Sequence, residues 1–140
     1  MTEQGPGWQL FGAWVVALIS SLAVLFVGEV MGQVPCNLCW FQRAFMFPLA
    51  IVLGIANWQA DTTVWRYALP LAIGGLLVAG FHSLLFAGAF PEHITPCSKG
   101  VSCTSADMLV AGGLPLPYLS LAAFGVIAVL LFKTRSRTST

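Results

Sequence analysis

Between Glu3 and Glu29 the chain runs for 25 residues without a formal charge. Two further runs of 25 separate Arg66 from Glu92, with His82 neutral, and Asp107 from Lys133. A run of 17 separates Arg43 from Asp61. Crossing the hydrocarbon of a bilayer takes about 20 mostly apolar residues, with a range of roughly 17–25. The four runs therefore predict four membrane-spanning helices. Composition agrees: 58% of residues are hydrophobic and 8% charged, against about 25% charged in soluble domains. A surface so poor in charge has to face something other than water. The net charge of +1 gives no electrostatic pull toward nucleic acid. Neither a dinucleotide-binding glycine pattern nor a P-loop is present.

The expected architecture is an all-α, integral membrane four-helix bundle forming a single domain over residues 1–140. Its helices are expected at 8–30, 37–58, 64–87 and 114–132, with a longer loop over 88–113. The stretch MTEQGPGWQ lacks Lys and Arg, and the apolar run after it is too long for a signal peptide. It is expected to stay as the first helix. Pro35 suits the start of the second helix, while Pro48 and Pro70 fall inside the second and third. Gly74, Gly75, Ala79 and Ser83 form rows of small residues that let helix backbones approach. The tail KTRSRTST is expected to fray. Lys133, Arg135, Arg137 and Arg66 gather on one side, against Lys99 and the helix-embedded Arg43 on the other. By the positive-inside rule both termini are expected in the cytoplasm.

With four spans, the link after helix 1 and the link after helix 3 share a face. Cys36 and Cys39 stand in the first, Cys97 and Cys103 in the second. All four cysteines are thus expected together, on the extracytoplasmic side where disulfides persist. Three readings of them are open: structural staples, a metal site and a redox relay. Cys36 and Cys39 have zinc-like spacing, but C-x5-C at Cys97 and Cys103 does not, so no metal is expected. A C-x-x-C at a helix start is the setting that lowers a thiol's pKa, helped by the positive helix N-terminus. Staples need no such setting.

Arg43 follows Cys39 by four residues, which makes the two neighbours on a helix. Its guanidinium can stabilise a Cys39 thiolate or an anionic partner of it. The competing reading is an arginine snorkelling to the interface. Gln42 points to another helix face, where it has either a cofactor carbonyl or a neighbouring helix to hydrogen-bond. His82, near the cysteine end of helix 3, is either an interfacial filler or a proton or hydrogen-bond donor. Glu29 is expected to be solvated.

The stretch PCNLCWFQR, Pro35 to Arg43, resembles the P-C-x-L-C-x-x-x-R motif of the DsbB/BdbC disulfide bond formation proteins. PCSKGVSCT resembles the compact cysteine loop of the BdbC-like branch. GFHSLLF resembles the end of that branch's third helix, and PLPYLSLAAF the start of its fourth. The resemblance covers nearly the whole chain in order. It implies a thiol:quinone oxidoreductase that reoxidises a thioredoxin-like, DsbA/BdbD-like dithiol oxidase outside the cytoplasmic membrane. Electrons then pass to a membrane quinone, ubiquinone or menaquinone.

The resemblance also implies disulfides Cys36–Cys39 and Cys97–Cys103. Cys97 would be attacked by the partner, and Cys103 would attack Cys36. Cys39 would face the quinone ring, with Arg43 near a quinone oxygen and His82 and Gln42 as further quinone-binding candidates. Two departures stand out. Gln42 occupies the position before the arginine where the DsbB pattern has an acidic residue. The second cysteine pair is also far more closely spaced. The rivals are a vitamin K epoxide reductase-type protein, whose C-x-x-C is expected late in the chain, and a non-catalytic scaffold with stapled loops. A small transporter is disfavoured by the scarcity of intramembrane charge.

Overall fold

A computed structural model describes residues 7–32, 37–88, 109–110 and 113–139. Four helices dominate it. The first, α1, spans Gly7–Leu25 and continues as a π-helical turn over Phe26–Val30. Helix α2 spans Asn37–Gln59. A 3-10 turn, Thr62–Val64, leads into α3, Trp65–Phe86, and α4 spans Leu116–Thr138. Each is long and apolar enough to cross a membrane. An all-α, four-helix membrane-spanning bundle is the result. In hydrocarbon a helix satisfies every interior backbone group within its own segment.

The helices pack in a ring, with α1 against α2 and α4, and α3 against α2 and α4. Flat side chains on glycines bring them close. Trp14 of α1 lies on Gly54 of α2, Phe45 of α2 on Gly74 of α3, and Phe124 of α4 on Gly75 of α3. A Cβ at Gly75 would run into the Phe124 ring, itself fully buried. Without a hydrophobic drive between helices in lipid, such close packing is what holds a bundle together. Outward-facing Ile19, Leu22, Ile51, Ile55, Leu77 and Val129 are exposed, as lipid contact requires.

Polar groups mark the two ends. At the end carrying Gly7 and Thr138, the Asn57 amide donates to the Leu10 carbonyl of α1 at 3.2 Å and to Leu53 at 2.8 Å. There too, Arg135 of α4 lies over the Trp65 ring of α3, 5.2 Å from its centroid. At the opposite end the Ser83 hydroxyl donates to the Pro117 carbonyl of α4 at 3.1 Å.

The expected fraying after Phe132 does not occur, because α4 continues to Thr138. Thr134 is fully buried, and Arg135 stacks on Trp65 and Phe132. Arg135 and Arg137 also suit the negative end of the helix. The start of α4 falls within two residues of the expected 114. Pro115 holds Leu114 extended, so Leu114–Pro115 forms a strand, β2, paired antiparallel with β1, Leu109–Val110. Helix α4 begins one residue later, with Pro117 in its first turn.

Candidate functional site

The site end of the bundle is organised by the first two turns of α2. Asn37 opens the helix and Cys39 follows in its first turn. Cys39 is partly buried, packed against the cluster that Leu38 and Leu85 form with Phe81 and Phe86 of α3. One turn further on, two polar residues part company. At about 100° per residue, Gln42 lies roughly 60° to one side of Cys39 and Arg43 roughly 40° to the other. Each is then tied to a different neighbour.

Gln42 turns to α3. Its amide nitrogen lies 2.9 Å from Nδ1 of His82, and both side chains are buried, His82 to 1% exposure. With the amide nitrogen as donor, Nδ1 is the acceptor of this bond. His82 is therefore enclosed between the helices of the bundle. Of the two readings open for Gln42, the bond made here is to the neighbouring helix.

Arg43 turns to α1. Its Nη2 donates to the Val24 carbonyl at 3.0 Å, immediately before the π turn. Gly28, inside that turn, presents bare backbone to the guanidinium. The Trp40 ring lies 5.3 Å from Cζ, within cation–π range. A carbonyl and an aromatic face orient the guanidinium, both neutral, and among the described residues no carboxylate pairs with it. Glu29, as expected, is exposed.

At the mouth of α2, Cys39 stands one turn above a fork, with the Arg43 guanidinium on one side and the buried Gln42–His82 pair on the other. Cys36, Cys97 and Cys103, with most of the loop expected over 88–113, lie outside the described residues. Among the described residues no cluster of His, Cys, Asp or Glu could hold a metal ion.

Sequence reasoning named Cys39, Gln42, Arg43 and His82, which the fold brings to one end of the bundle, but not Val24 and Gly28. A backbone carbonyl has no sequence signature. Gly28 did carry one, as a lone glycine among bulky residues in the last turns of helix 1, facing the level of Arg43.

The family model for the disulfide bond formation protein DsbB matches residues 6–134. A probable disulfide formation protein of Metapseudomonas resinovorans is 56% identical, over 96% of this chain and 95% of its own. Disulfide bond formation protein C of Bacillus subtilis is 40% identical, over 87% of this chain and 88% of its own. A probable disulfide formation protein of Deinococcus radiodurans is 40% identical, over 94% and 91%. No solved structure gives a significant match. The chain belongs to the DsbB family of disulfide bond formation proteins.

Proposed function

From its place in the DsbB family, we propose that this chain is a membrane thiol:quinone oxidoreductase of the compact-loop, BdbC-like kind. It would reoxidise a thioredoxin-like dithiol protein, DsbA- or BdbD-like, outside the cytoplasmic membrane. The observation that carries the reading is the fork beneath Cys39: a cysteine one turn from the Arg43 guanidinium, held by neutral partners, and from a buried Gln42–His82 pair.

The partner's thiolate attacks Cys97, forming a mixed disulfide and releasing the Cys103 thiolate. The partner's second thiol then resolves that bond, leaving with its disulfide and freeing Cys97. Cys103 attacks Cys36, displacing the Cys39 thiolate, and Cys97 closes the loop disulfide again by displacing Cys36. Cys36 and Cys39 are left as a dithiol. Exchange of this kind needs a thiolate and an open line of attack. A bound quinone supplies the sink for two electrons and two protons, which returns Cys36–Cys39 to the disulfide. Arg43 would favour the Cys39 thiolate, and Arg43, His82 and Gln42 are the residues that would hold the quinone. Over the cycle the partner dithiol becomes a disulfide and quinone becomes quinol.

The cysteine face is read as extracytoplasmic and both termini as cytoplasmic, from the basic residues of α4. The test is Cys39→Ser in purified protein supplied with quinone and a reduced thioredoxin-like partner. Partner oxidation should cease. Turnover at the wild-type rate would remove the relay.

A further inference from the structure

The π turn of α1 has no part in the chemistry just described, yet it adjoins Arg43. Val24 precedes the turn and Gly28 sits within it. The Met31 N–H reaches back to the Phe26 carbonyl at 3.2 Å, the i→i+5 bond that defines such a turn. The turn closes α1 at its end, and π turns are frequent at functional sites.

The group beside this turn is the Arg43 guanidinium. A Cβ on Gly28 would stand 3.0 Å from Nη2, 3.7 Å from Nη1 and 3.8 Å from Cζ. The guanidinium thus lies against the glycine backbone, and only the missing side chain leaves it room. Its Nη2 is fixed by the Val24 carbonyl, and Trp40 offers a ring face from α2 itself. Three contacts therefore set where the charge stands, two of them from α1.

We infer that the π turn Phe26–Val30 is the positioning device for Arg43, and that Gly28 is a positioning residue for the quinone-facing charge. The inference rests on the proposed role of Arg43. It assigns to α1 a share in the site that neither cysteine motif reveals. A side chain at Gly28 meets the far end of a flexible arginine rather than packed backbone. Its effect falls on where the guanidinium stands, with little effect on the fold.

The test uses the full-length protein in lipid nanodiscs, as Gly28→Ala, Gly28→Val and Arg43→Ala, with Gly28→Val also placed in the Arg43→Ala background. Two readouts are taken. One is the side-chain N–H resonance of Arg43 in arginine-labelled protein, assigned by its loss in Arg43→Lys. The other is the KM for a short-chain quinone, compared with kcat and with the KM for the dithiol partner. Gly28→Val should move the Arg43 resonance and raise the quinone KM about tenfold, which corresponds to about 1.4 kcal/mol. Gly28→Ala should do so less. The partner KM and the thermal unfolding midpoint should stay put, and Gly28→Val should add nothing to Arg43→Ala. An unmoved resonance overturns the inference whatever the kinetics. So does a moved resonance with an unchanged quinone KM when Arg43→Ala itself raises that KM. An equal effect of Gly28→Val with and without Arg43 overturns it too. If Arg43→Ala leaves the quinone KM alone, the quinone-facing role of Arg43 fails, and the inference falls with it.

Discussion

The amide of Gln42 donates to Nδ1 of His82 across 2.9 Å, joining α2 to α3 one turn below Cys39. Both groups are buried, so neither can turn to water when its partner is removed. Leaving a buried polar group unsatisfied costs about 1–3 kcal/mol. Gln42→Leu and His82→Phe should each lower stability by about that much. The double variant should cost less than the sum, with a coupling of about 0.5–2 kcal/mol. Equilibrium unfolding of the four proteins in mixed micelles measures it. Strict additivity would show that the bond contributes nothing.

Arg43→Ala should raise the quinone KM roughly 10- to 100-fold, on the scale of a charged hydrogen bond of about 1.5–3 kcal/mol, while the bundle still folds. Arg43→Lys should recover only part, since an ammonium lacks the planar fork of donors. Steady-state kinetics with varied quinone decide it. Wild-type constants in Arg43→Ala would mean that the arginine only reaches for the interface.

Gly75 and Phe124 test the packing that holds α3 to α4. Gly75→Ala places a methyl group in the Phe124 ring. Overpacking of this kind costs about 1–3 kcal/mol. Adding Phe124→Leu should relieve much of the loss, because the smaller side chain vacates the space. Thermal unfolding in detergent reads both, and a Gly75→Ala protein as stable as wild type would refute the close approach.

Asp61, in the link between α2 and α3, accepts hydrogen bonds from the Thr63 hydroxyl and backbone N–H. Those two bonds, the hydroxyl's first, hold its carboxyl below the ordinary value of 3.8. A depressed folded-state pKa stabilises the protein above the unfolded value and loses that contribution as pH falls through the folded one. Asp61→Ala should therefore be less stable than wild type at pH 7. The gap should close below about pH 4. Paired unfolding curves at the two pH values test this, and a gap that widens in acid contradicts it.

The spans were legible because lipid allows so few alternatives: a run without charge that is long enough has to be a helix. Cys39, Gln42 and Arg43 were legible because they lie within five residues of one another. The pairing of Gln42 with His82 was not, since it depends on the register between two helices whose contact residues lie 40 positions apart. The anchoring of Arg43 was hidden for another reason. It uses the Val24 backbone, and every residue has a carbonyl. The reach of α4 to Thr138 was missed because a polar, basic tail reads as solvated. Arg135 instead finds Trp65, an aromatic of α3 that local sequence does not connect to it.

From Ala44 to Ala56, α2 carries thirteen residues with no polar side chain. Buried alongside them are Ala13, Ala17, Ala72, Phe124 and Ile127 from the other helices. That stretch separates the Asn57 end of the bundle from the Gln42 end by about 20 Å, at 1.5 Å per residue, and the one buried hydroxyl described beside it, that of Ser21, donates to the Ala17 carbonyl. Protons consumed beside Cys39 would then have to enter from the cysteine face itself, and turnover would be electrically silent. Proteoliposomes carrying a potential-sensitive dye should show no voltage change while the partner is being oxidised.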